Sequence, residues 1–347
     1  MKRTFMLIAA VFTALAFFSC GSNIDSSGWL SNLDDAKKVA QDENKRIFLF
    51  FSEDESDGQS RDLKEKIFNT EDFLKSYTEK YVLVNLDYSN SRYDTDQKNL
   101  QRDLKLYELF RVPATPYFLI LSSEGYVITP LTVEGNDDAD ALRLSFAEVE
   151  PAISAFEESL AKIRTGSKEE KLAAINQICE TTNTEYFYHL SPLSKLYLSL
   201  DKTNETENYL NHLIALANAK AEDYFLDNEY EKACEEFAKI AKNKFISDED
   251  RQMALFTAGR LLAESGSQNL NKIKEYLTQA YELNTESELG GQLKIMLSRL
   301  QMYMEGEGDE VPPQAQAETD SAEVQSETDS ASSQTASESA ANTAPEN

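Results

Sequence analysis

The sequence is poor in the residues that most often carry chemistry. It has two histidines, His189 and His212, far apart and without metal-ligand spacing. A histidine-based catalytic triad is therefore unsupported. No glycine-rich, phosphate-cradling loop occurs. Three cysteines, Cys20, Cys179 and Cys234, are too few for a disulfide framework in 347 residues. Positive charge is scarce as well: 34 Lys and Arg stand against 61 Asp and Glu, a net charge of -27. So acidic a chain repels nucleic-acid phosphates and anionic lipid surfaces, and neither is expected as a direct partner. The 41% hydrophobic content is enough for one large or two modest cores.

What is present begins with Lys2 and Arg3, then an apolar run from Phe5 to Phe18. The run is too short to span a bilayer comfortably and has the length of a signal-peptide core. Phe17-Phe18-Ser19-Cys20 resembles a bacterial lipobox, with Phe17 where that motif usually has leucine. The resemblance implies a signal peptide over 1–19, cleavage before Cys20, lipid on Cys20, and a tether over 20–28. It places the protein on a membrane of the bacterial envelope through that anchor, its body periplasmic. Several acyl chains, at about 0.8 kcal/mol per buried methylene, hold a soluble body stably on a membrane.

From Trp29 onward, apolar runs alternate with helical patterns. Ile47–Phe51, Tyr81–Leu86, Tyr117–Leu121 and Tyr126–Leu131 read as strands, the last two as a hairpin across Glu124-Gly125. Helical spacing marks the segments between them. The order predicts one α/β domain with a mixed sheet flanked by helices, over 29–165. Near Pro151 the character changes, and Pro151 is expected in the first turn of a helix. An all-α domain is expected over 166–304. The stretches 219–245 and 253–284 resemble tetratricopeptide repeats, with Asn228 standing where the first copy would have a turn glycine. An ordinary helical bundle is the alternative. The tail, 305–347, has eleven acids and no Lys or Arg, and is expected to be disordered.

Three landmarks together resemble thioredoxin-like proteins across about 135 residues. The strand at Ile47–Phe51 leads through a loop into the helix "RDLKEKIF". Val112-Pro-Ala-Thr-Pro116 looks like the family's turn before a strand, whose proline is cis. The closing hairpin follows. The resemblance implies that a Cys-x-x-Cys pair would fall at Asp57 and Ser60, in Asp57-Gly58-Gln59-Ser60. Neither position has sulfur, so thiol-disulfide exchange at this site is excluded. Asp57 or Ser60 is expected to cap the following helix, in the field that would otherwise stabilise a thiolate. The resemblance also implies a peptide groove beside Thr115 and Pro116, built from main-chain groups and shape.

The acids Glu53, Asp54, Glu55 and Asp57 read mainly as a solvated surface. Their alternation also suggests a calcium loop, but its first and twelfth positions are Glu53 and Lys64, against the pattern. No metal and no cofactor is expected. The expected function is a non-catalytic, protein-binding or scaffolding module with an envelope protein or peptide as partner. The alternative is a thiol-disulfide oxidoreductase or redox-homeostasis factor by descent, working through Cys179 and Cys234 or with a redox-active partner.

Overall fold

The computed structural model describes residues 28–133 and 138–306. The segment expected to be a signal peptide, Cys20 and the acidic tail beyond 306 lie outside the described residues.

The chain enters with α1 (Leu33–Glu43), capped by Asn32, and then β1 (Arg46–Ser52). A short α2 (Gly58–Leu63) runs into a single π-helical turn, Lys64–Phe68, and on to α3 (Glu71–Tyr77). Next come β2 (Tyr81–Asp87), α4 (Arg92–Thr95), α5 (Gln97–Leu109), β3 (Tyr117–Leu121) and β4 (Val127–Pro130). The four strands form one mixed sheet in the order β2-β1-β3-β4. β1 is parallel to β2 and antiparallel to β3, with Phe48 opposite Leu83 and Phe50 opposite Phe118. β3 and β4 are antiparallel. Leu30 adds an isolated parallel bridge to Val84, on β2.

β1 is buried from Ile47 to Ser52 because helices cover both faces of the sheet. Alternation then sorts its side chains. Phe48 and Phe50, with Phe118 and Ile120, face a core completed by Trp29, Phe68, Phe73 and Phe146. Ile47, Leu49 and Phe51, with Leu119 and Leu121, face a second core closed by Leu33, Ala36, Phe110 and Tyr186.

The helices that follow are α6 (Ala139–Thr165), α7 (Lys168–Thr181), a 3₁₀ segment (Thr184–Leu190), α8 (Ser191–Leu200) and α9 (Tyr209–Leu226). They continue as α10 (Tyr230–Ile240), α11 (Asp248–Glu264), α12 (Leu270–Leu283) and α13 (Glu288–Glu305). Each helix from α9 to α13 packs on the next. Asn228 does adopt the left-handed conformation at the α9–α10 turn, φ 60, the conformation a turn glycine supplies.

Two expectations change. Pro151 does not start a helix; it sits inside α6. A proline there removes one helical N–H donor. The helix runs through it because Leu142 and Phe146 before it, and Ile153 and Phe156 after it, are all buried in the same core. Packing also divides the chain later than residue 166. Leu172, Ile175, Leu193 and Tyr197 belong to the core of Phe48 and Phe118, whereas a separate core starts at Tyr209. The reason is that α6 carries its apolar stripe off the sheet without a break, α7 packs onto it and α8 packs onto α7.

Candidate functional site

The loop between β1 and α2 is built around Asp57. Asp57 is the N-cap of α2, with extended backbone (φ -93, ψ 99). Its carboxylate accepts from the backbone N–H of Gln59 at 3.0 Å and of Ser60 at 3.1 Å. The Ser60 hydroxyl, fully buried, also donates to it. The two positions that the family resemblance assigns to a redox pair therefore touch, joined by a hydrogen bond between oxygens. Asp57 satisfies donors that the first turn of a helix cannot pair internally. Gly58 and Gln59 are exposed at the start of α2.

Two other acids of the loop turn away to separate partners. Asp54 accepts from the Lys64 ammonium at 2.6 Å, and Glu55 accepts from the Ser91 N–H at 3.1 Å. Among the described residues, no group of three or more His, Cys, Asp or Glu is placed to hold a metal ion.

β1 ends where β3 begins: Phe51 is paired with Tyr117. The loop leaving β1 and the Thr115-Pro116 turn entering β3 thus lie at the same end of the sheet. The Thr115–Pro116 peptide is cis, and both residues are half-buried. Tyr117 bonds through its hydroxyl to Tyr186 of the 3₁₀ segment at 2.6 Å, so helical residues lie directly beside this end of β3. Arg111 extends the junction with an ion pair to Glu222 on α9 at 2.6 Å.

A buried ionic cluster, not anticipated from sequence, fixes the neighbouring loop. Asp103 is fully buried on α5 and pairs with Arg92 at 3.0 Å and Arg102 at 2.6 Å. Arg92 also donates to the Asp87 carbonyl. The Asp87 carboxylate accepts from the Asp54 N–H at 3.3 Å. Burial raises the Asp103 carboxyl above its ordinary value, against the pull of the two guanidiniums. The available signal was its position: an aspartate three residues after Leu100, on the face α5 buries.

The remaining candidate side chains are dispersed. Cys179 is half-buried on α7 and Cys234 fully buried on α10; both are free. They border different cores, and burial pushes both thiols up to about 11. A thiol so shifted is almost wholly protonated at neutral pH and is a poor nucleophile. His189 stacks on Phe110 at 3.9 Å, its Nε2 donating to the Leu109 carbonyl at 3.2 Å. His212 lies elsewhere, between Ser194 and Asn176. Burial lowers both imidazoles to about 4. Tyr186 is buried in the second core of the sheet, and Tyr188 bonds to Asp223 at 2.9 Å.

This strand order, the cis proline beside a capped strand-to-helix loop, and the closing hairpin define a thioredoxin-like domain. A thioredoxin-like domain model matches residues 33–145. A second model, described as an uncharacterised protein C-terminal domain, matches residues 209–306, the region with its own core. Among solved structures, a "DsbH Oxidoreductase" aligns at 17% identity over 36% of this chain and 83% of its own, with a TM-score of 0.32. No curated protein matches. The chain therefore carries a thioredoxin-like domain followed by a helical C-terminal domain.

Proposed function

We propose that the protein is a non-catalytic, protein-binding module held on the bacterial envelope membrane through lipid on Cys20. The observation that carries this reading is the Asp57–Ser60 hydrogen bond at the positions of a redox pair. A hydrogen bond between a hydroxyl and a carboxylate cannot cycle between oxidised and reduced forms, so the loop keeps its architecture without electron transfer. Shape and main-chain groups at Thr115-Pro116 remain for recognition of an extended segment. The helices α9 to α13, read as tetratricopeptide-like, supply a second surface of the stacked kind that suits partner proteins. The competing route, redox chemistry through Cys179 and Cys234, draws no support from two protonated thiols bordering separate cores.

The test is partner capture in intact cells. A photo-crosslinking residue is placed at Thr115 in one variant and at Lys232, exposed on α10, in another. A discrete, site-dependent protein product is expected. No product from either site would overturn the reading.

A further inference from the structure

A cleft of about 340 Å³ lies between α7, α8, α9 and the 3₁₀ segment, away from the thioredoxin-like loop. Its size is that of a small ligand site. Its composition is unusual for this chain, in which 27% of residues are charged. Among the residues lining it, Glu180 is the one Asp, Glu, Lys or Arg.

The floor is polar but neutral. His212, 4% exposed, accepts at Nδ1 from the Ser194 hydroxyl (3.1 Å) and donates from Nε2 to the Asn176 side-chain oxygen (3.0 Å). Tyr197 stacks on its ring at 3.8 Å. Burial lowers its pKa to about 4, so it holds no charge at neutral pH. Ser194 is itself 1% exposed and the imidazole's second partner is an uncharged amide, so this trio is a satisfied floor and not an acyl-transfer site. Phe187, Ala215 and the exposed Ile214 provide apolar wall.

The rim is a row of amides. Asn208, Asn211 and Asn218 lie along α9 and its first flanking residue, all facing the cleft. Asn211 and Asn218 are exposed. Asn211 spends one donor on Asn208 at 3.3 Å, and the Asn218 amide has no side-chain partner among the described residues. Each amide offers two donors and an acceptor. From Asn208 to Asn218 the helix rises about 15 Å, at 1.5 Å per residue. An extended peptide covers that span in about four to five residues. A charged ligand would find no cation for an anionic group and one exposed carboxylate for a cationic one.

We propose that this cleft binds an uncharged, extended peptide segment of a partner protein. Its backbone pairs with the Asn208, Asn211 and Asn218 amides, and one aliphatic or aromatic side chain enters the floor at His212. The inference rests on the protein-binding reading and names the partner's chemistry at a second site.

Cys179 also lines the cleft, which supplies the probe. The full chain is equilibrated with capped cysteine peptides, each supplied as its mixed disulfide with 2-mercaptoethanol; the Cys179 thiolate attacks the peptide sulfur, 2-mercaptoethanol leaves as the thiolate, and the protein–peptide disulfide is quantified by mass spectrometry. The peptides are Ac-Cys-Ala-Leu-Ala-Ala-NH₂, the same with Asp or Lys for Leu, and a backbone N-methylated form. The raised thiol pKa slows every probe alike, so the ranking reports the cleft. The neutral Leu peptide is expected about tenfold above the Asp, Lys and N-methylated forms, a difference of about 1.4 kcal/mol. Asn211→Ala and Asn218→Ala, both at exposed positions, are expected to reduce that preference severalfold with thermal melts unchanged. Equal trapping of all peptides, or a preference indifferent to the asparagines, would overturn the proposal. Equal trapping alongside a discrete Thr115 or Lys232 crosslink would remove this site alone. Selective trapping with no cellular crosslink would remove the cellular reading and keep the cleft.

Discussion

Around Phe48 the sheet domain is filled by rings. Phe48 meets Phe68 at 5.7 Å and Phe118 at 5.8 Å between centroids, and Phe50 stacks on Phe118 at 4.7 Å. Around Ala258 the C-terminal helices are filled by closeness. Ala233, Ala258 and Ala280 are fully buried, and a Cβ on Gly259 would stand 3.0 Å from Leu277. One core is made of volume and the other of backbone approach. The difference predicts opposite sensitivities, since large-to-small changes leave cavities and small-to-large changes force helices apart.

The largest effect expected is Phe48→Ala, at about 3–5 kcal/mol of lost stability by denaturant unfolding. Ala258→Leu should cost about 1–3 kcal/mol by overpacking. If Ala258→Leu were neutral, the contrast between the two cores would fail.

The histidines sharpen the comparison through pH. His189, half-buried, sits at the sheet domain and His212, buried, among the helices; desolvation lowers each pKa to about 4 against an ordinary 6.5. Between those values the unfolded chain binds more protons than the folded one, so stability falls as pH drops from about 6.5 toward 4. The loss should be on the order of 1–3 kcal/mol per histidine, read as denaturation midpoints at pH 7, 6, 5 and 4. A flat profile over that window would contradict both burials.

Smaller effects come from the site and the junction. Asp57→Ala removes the α2 cap and should cost about 0.5–2 kcal/mol. Arg111→Ala breaks a half-exposed ion pair to Glu222, and the melt should move by about 1 kcal/mol or less. A larger loss at Arg111 would mean that the two regions depend on that contact for folding.

Much of this architecture is legible in the sequence because the strands are continuous apolar runs bounded by turns. Ile47–Phe51 and Tyr117–Leu121 fall within a residue of the observed strands. Asp57 is recognisable as a cap because it precedes a helical pattern and its side chain is short enough to reach two backbone donors. Pro151 misleads because tertiary burial on both sides overrides its local preference. The Asp103 cluster and the His212 floor are not legible, since their partners come from other elements: Arg92 on α4, Ser194 on α8, Asn176 on α7. The packing of α7 and α8 onto the sheet domain is hidden for the same reason; periodicity shows that a helix has an apolar face, not what covers it.

Central to the proposal is that the thioredoxin-like loop keeps its helix cap and carries out no redox chemistry. The direct measurement is disulfide-reduction turnover with a model disulfide substrate. The natural chain and Cys179→Ala, Asp57→Cys/Ser60→Cys and the single Ser60→Cys variants would be compared side by side. The account predicts no turnover by the natural chain, none by the single variant, and measurable turnover once both cysteines occupy the loop. Turnover by the natural chain that Cys179→Ala abolishes would contradict it and place the chemistry in the helical region.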